Sequence, residues 1–193
     1  MDVLRTPDDR FGGLPDFDHE PRYATVPDPD GGELRMAYVE TGPHDGPVVL
    51  LLHGEPSWSF LYRHVMSRLA DAGLRAVAPD MVGFGRSDKP ARSEDHSYAR
   101  HVEWVRALVI DVLDLRDVVL VGQDWGGLLG LRLVAEHPDR FAGVVAANGS
   151  LISDQLPAES RALTLNVYAV LGLRNTILFD LPATCPYQSW PFT

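Results

Sequence analysis

The chain has 193 residues and a formal net charge of −10, enough length for one buried core. The acidic balance argues against nucleic acid and anionic membrane as partners. No apolar run reaches a membrane span, residues 1–9 lack the apolar segment of a signal peptide, and one cysteine, Cys185, excludes an internal disulfide framework and fits a reducing, cytoplasmic setting.

Residues 1–32 are rich in Asp, Pro and Gly and read as loop, with a short strand near Tyr23-Ala24-Thr25-Val26. Residues 34–40 read as a second strand. The apolar run at 47–52 reads as a buried strand. A helix is predicted over 58–71, with Trp58, Leu61, Tyr62, Val65 and Leu69 on one face. A short strand at 75–79 ends at Asp80, and a loop with Gly83, Gly85, Lys89 and Pro90 follows. A helix over 97–113 carries Tyr98, Val102, Val105, Val109 and Val112 near the helical period. Then come a strand at 117–122, a helix at 126–136 and a strand at 141–147. Strands alternating with helices predict an α/β fold, a mainly parallel sheet with helices on both faces. Active sites in such sheets sit at the carboxyl ends of the strands. There is no repeat, metal-ligand cluster or phosphate loop. Gly83-Phe84-Gly85 lacks the third glycine of a dinucleotide fingerprint, so neither metal nor cofactor is expected.

Gly122-Gln123-Asp124-Trp125-Gly126 joins a strand to a helix and reads as a nucleophile elbow with aspartate at its tip. Flanking glycines permit the tight turn and close strand–helix approach. The helix N-terminus favours an anion. A carboxylate needs no base to attack, and it can displace a leaving group from saturated carbon to give an alkyl ester. This points to alkyl halides or epoxides rather than carboxylic esters. The competing reading makes Asp124 a helix N-cap. A second motif, His53-Gly54-Glu55-Pro56-Ser57-Trp58, follows the buried strand. A loop in that position is the usual source of an oxyanion-hole N–H, here from Glu55, with Trp125 supplying the other. His53 reads as a turn-supporting residue rather than a base.

Together these segments resemble the haloalkane dehalogenase family of α/β-hydrolases. The likeness is carried by the run at 53–58, by Asp80-Met81-Val82-Gly83-Phe84-Gly85-Arg86-Ser87-Asp88-Lys89-Pro90, and by Val121-Gly122-Gln123-Asp124-Trp125-Gly126-Gly127. It covers about residues 20–150, the N-terminal part of the family's longer chains. The resemblance implies that Asp124 is the nucleophile, that Trp125 holds the departing halide through its indole N–H, and that the partners are a small halogenated alkane and halide ion. An indole is a donor with no lone pair to repel an anion. No carboxylate stands in Asn148-Gly149-Ser150 after the last strand, and Glu55 replaces the asparagine of one subgroup. Both features imply the subgroup whose acid follows a later strand and whose halide is held by two tryptophans.

The family's hydrolytic base is a late histidine. Here the last is His137, at a helix end, and His19, His44, His64, His96 and His101 all precede the elbow, so none is assigned as general base. Residues 1–150 read as the hydrolase core, and 151–193 as a partial helical cap or an aberrant tail. That tail has helix-like stretches such as 161–170, broken by Pro157 and Gly172. Trp190 does not fit the second halide-holding position. The chain is expected to be truncated at the start of the cap, and to leave the strand at 141–147 as an apolar edge unless the tail or another chain covers it. Two alternatives stay open. One is an epoxide hydrolase, for which Tyr168 and Tyr187 are the candidate ring-opening acids. The other is a non-catalytic α/β-hydrolase-like fragment.

Overall fold

The computed structural model describes residues 1–147 and the backbone of residues 169–172. Among the described residues there are nine strands: β1 (Val3–Leu4), β2 (Arg22–Pro27), β3 (Glu33–Thr41), β4 (Val48–Leu52), β5 (Arg75–Pro79), β6 (Lys89–Pro90), β7 (Val118–Gln123), β8 (Phe141–Ala147) and β9 (Ala169–Gly172). Three α-helices, α1 (Arg63–Asp71), α2 (Tyr98–Arg106) and α3 (Trp125–Glu136), connect them.

Seven strands form one sheet in the order β2-β3-β5-β4-β7-β8-β9. The centre is parallel: β4 pairs with β5 and β7, and β7 pairs with β8. β2, β3 and β9 add antiparallel flanks. Residues of β4 alternate between the two faces, as a strand with period two requires. Leu50 and Leu52 join a core with Val105, Leu108 and Leu129. Val49 and Leu51 join a second core with Tyr62 and Met66. The sheet is therefore covered on both faces, and the near-continuous apolar run of β4 follows from that burial.

Two predicted helix faces need correction. Residues Ser59–Tyr62 form a 3₁₀ turn before α1. Tyr62 and Met66 are buried, whereas Leu61 and Val65 are each 40% exposed. A 3₁₀ turn has three residues per turn, so a face projected from Trp58 at the α period falls out of phase. After α2, Ala107–Val112 is π-helical. Val102, Val105 and Val109 are buried as expected, but the wider π turn leaves Val112 exposed. The fully buried Trp104 carries more of this contact than the valine pattern suggests.

Three further strands lie outside the sequence reading. β1 pairs antiparallel with β6, each inside a segment expected to be loop. Arg5 secures this pairing through Asp88, with Nε 2.6 Å from Oδ1. Burial opposes the charge of Asp88, but the Arg5 guanidinium and the Arg35 N–H hold its carboxyl below the usual range. β9 pairs with β8 from Gly143–Gly172 to Ala146–Ala169. Ala169 and Val170 thus lie in a strand rather than at the end of a helical stretch, because the open edge of β8 offers their backbone hydrogen bonds. The rest of the expected cap or tail lies outside the described residues, as do Cys185, Trp190, Tyr168 and Tyr187.

Candidate active site

The turn between β7 and α3 sets Asp124 at φ 54° and ψ −120°. A non-glycine residue in this region stores about 1–3 kcal/mol of strain, which the surrounding packing must hold. That packing leaves no room for side chains beside the tip. A Cβ on Gly126 would lie 2.0 Å from the Leu52 carbonyl oxygen, and one on Gly122 would lie 2.7 Å from Gly127 Cα. The start of α3 is therefore pressed against the end of β4, and Asp124 stands at the carboxyl ends of the parallel strands.

The Asp124 side chain makes no capping hydrogen bond to its own helix. Its Oδ1 instead accepts from the Glu55 backbone N–H at 3.1 Å. One residue to each side, the Gly54 N–H donates to Gln123 Oε1, also at 3.1 Å. A Cβ on Gly54 would lie 2.4 Å from Asp124 Cβ. The loop after β4 and the elbow are thus joined by two side-chain-to-backbone hydrogen bonds across a gap that only glycine fits. The sequence motif contains Gln123 but gives it no role. Its place next to Asp124 was visible, but its partner 69 residues away was not.

His53 is buried and spans backbone groups. Met81 N–H donates to its Nε2 at 2.9 Å, so the proton sits on Nδ1, 2.9 Å from the Gly54 carbonyl oxygen. Both ring nitrogens are occupied, and burial draws the imidazole below its usual pKa. Asp80 organises the neighbouring loop, accepting from Ser59 N–H at 2.9 Å and Arg86 N–H at 2.8 Å.

A cavity of ≈ 440 Å³ opens beside the elbow, lined in part by Glu55, Trp125, Phe84, Lys89, His96 and His101. Trp125 is 38% exposed, so its ring is available on this wall. Lys89 Nζ donates to the Gly85 and Ser87 carbonyls at 2.7 and 2.8 Å, and burial lowers its pKa. The loop after β5 and helix α2 also bring in His96 and His101, which matched no motif position. Their ring nitrogens are 3.3 Å apart. Trp104, on the same helix as His101, donates its indole N–H to the buried Asp28 at 3.0 Å, and Arg100 donates to Asp28 at 2.7 Å. His137 lies at the end of α3, where its backbone N–H donates to the Leu133 carbonyl. Among the described residues no cluster of three or more metal-ligating side chains is present, and no helix is long and apolar enough to cross a membrane.

Chemically, the arrangement offers a carboxylate at a helix N-terminus, one backbone N–H on one of its oxygens, and an indole on the wall of the adjoining cavity. These groups suit displacement at carbon with release of an anion.

The family described as alpha/beta hydrolase fold matches residues 47–181. A haloalkane dehalogenase of Psychrobacter cryohalolentis is 56% identical over 151 residues, covering 78% of this chain and 50% of the relative. One of Mycolicibacterium paratuberculosis is 54% identical over 155 residues, covering 80% of this chain and 51% of the relative. The chain spans about half the length of the curated relatives it matches. Among solved structures, the tetrameric haloalkane dehalogenase DpaA of Paraglaciecola agarilytica superposes with a TM-score of 0.74 at 42% identity, over 83% of this chain and 53% of that one. An epoxide hydrolase of Vigna radiata superposes with a TM-score of 0.57 at 36% identity, over 68% of this chain and 39% of that one.

Proposed function

We propose that this chain, which belongs to the alpha/beta hydrolase fold family, carries the nucleophile half of a haloalkane dehalogenase site. The observation that carries the reading is the Asp124 carboxylate. It sits at a strained elbow, leaves its own helix uncapped, and is held at Oδ1 by the Glu55 N–H.

That contact distinguishes the two carboxylate oxygens. Oδ2 attacks the carbon bearing the halogen, the carbon–halogen bond breaks, and the halide leaves with the bonding electrons towards the Trp125 indole N–H. Oδ1 becomes the carbonyl oxygen of the aspartyl ester. When water adds to that carbonyl, the negative charge develops on Oδ1, where the Glu55 N–H already points and the Trp125 N–H supplies a second donor. Collapse returns the carboxylate and releases an alcohol, so the sum is haloalkane plus water to alcohol, halide and a proton. None of the described histidines is assigned to activate that water. The partners are accordingly a small halogenated alkane and halide ion, and residues 1–150 form the core that binds them.

The rival reading, epoxide opening by the same aspartate, needs ring-opening acids, and Tyr168 and Tyr187 lie outside the described residues. The identities of 54–56% to haloalkane dehalogenases against 36% to an epoxide hydrolase favour displacement of halide.

Bromide release from 1,2-dibromoethane tests the proposal. At least one bromide per chain is expected, lost in Asp124→Asn. Consumption of styrene oxide without bromide release would assign the aspartate to epoxides instead.

A further inference from the structure

Two histidines line the cavity beside Trp125 and take no part in the displacement chemistry. His96 Nε2 lies 3.1 Å from the Pro90 carbonyl oxygen. A carbonyl only accepts, so this nitrogen carries the proton. His96 Nδ1 is then a bare lone pair, 3.3 Å from His101 Nε2. His101 must donate to it from Nε2. A neutral imidazole has one N–H, so His101 Nδ1 is left as an acceptor. One backbone carbonyl fixes both tautomers.

The ring carrying this acceptor is held in place. His101 packs edge to face against Trp104, with centroids 4.9 Å apart, and lies tilted at 55° to Trp125 at 6.4 Å. Trp104 is itself fixed by its bond to Asp28. Burial, together with neighbouring His96, draws His101 down to about 4, so the ring is neutral in neutral solution.

We propose that His101 Nδ1 is a hydroxyl acceptor in this cavity and selects small halogenated alcohols over unsubstituted haloalkanes. The two walls differ in chemistry. Trp125 offers a donor without a lone pair, which suits halogen and halide. His101 offers a lone pair without a proton at the same nitrogen, which suits an O–H group. The substrate class rests on the reading of Asp124 and Trp125 given above; the acceptor character of His101 rests on the hydrogen-bond chain alone.

The test is the rate of adduct formation at Asp124, by intact mass, with 3-bromo-1-propanol and with 1-bromopropane. The alcohol-to-alkane rate ratio of the full chain should fall roughly three- to tenfold in His101→Leu, the worth of one neutral hydrogen bond. It should be retained in His101→Asn, which keeps a neutral acceptor. Long-range proton–nitrogen NMR of the unmodified chain should place the His101 proton on Nε2, and 1-propanol should move the Nδ1 resonance. An unchanged ratio in His101→Leu, or a proton on His101 Nδ1, overturns the proposal while leaving the displacement reading intact. If neither bromide alkylates Asp124, the displacement reading fails by itself. The response to 1-propanol then decides the acceptor: a shift of Nδ1 supports it, and an unmoved resonance overturns it.

Discussion

The backbone N–H of Glu55 stands 3.1 Å from Asp124 Oδ1, joining two residues 69 positions apart. A backbone donor on a carboxylate oxygen is fixed by the chain, so it costs no side-chain ordering when charge develops there. It also reserves the other oxygen for attack. The loop after β4 and the elbow therefore act as one unit, and displacement of either should be felt at the nucleophile.

The closeness of that unit can be tested without chemistry. A Cβ at Gly126 would meet the Leu52 carbonyl oxygen at 2.0 Å, and backbone cannot move aside as a flexible side chain can. Gly126→Ala should destabilise the chain by about 3 kcal/mol or more, at the upper end of overpacking costs. Urea unfolding reads this as a lower midpoint at unchanged slope. A midpoint equal to that of the unsubstituted chain would mean that α3 does not press on β4.

Trp125→Phe keeps an aromatic ring on the cavity wall but removes the indole N–H. A hydrogen bond to a charged group contributes about 1.5–3 kcal/mol, so bromide displacement should slow roughly 10- to 150-fold. Stopped-flow or mass-resolved adduct formation measures it. An unchanged rate would remove the indole from the proposed halide site.

Acid should weaken the fold through two histidines. Burial draws both His53 and His101 below the ordinary value of 6.5, His101 to about 4. The unfolded chain then binds more protons than the folded one between pH 6.5 and about 4, so stability rises with pH across that window. It is fully present above 6.5 and is lost as the pH falls. The urea midpoint should drop between pH 7 and pH 5, and His101→Asn should reduce the drop. A midpoint that rises on acidification would contradict the burial of these rings.

The elbow was legible because its constraints are local. Gly122 and Gly126 bracket Asp124, a β-branched run precedes them, and a helical stretch follows. The burial of β4 on both faces was likewise written in its unbroken apolar run, Val48 to Leu52. What failed to show depends on phase or distance. The 3₁₀ turn at Ser59–Tyr62 and the π segment Ala107–Val112 rotate side chains away from a face drawn at 3.6 residues per turn. Leu61, Val65 and Val112 were misplaced for that reason. The strand Val3–Leu4 is too short to carry a periodic signal. The pairing of His96 with His101 arises only when the loop after β5 folds back onto α2, and each histidine taken singly matches no motif position.

The most direct measurement is an intact mass of the chain after incubation with 1,2-dibromoethane, followed by peptide mapping. The account predicts a single bromoethyl adduct on Asp124, or bromide release with the unmodified mass restored, and neither in Asp124→Asn. An unmodified mass with no bromide released, or an adduct that persists in Asp124→Asn, would contradict the assignment of Asp124 as the displacing group.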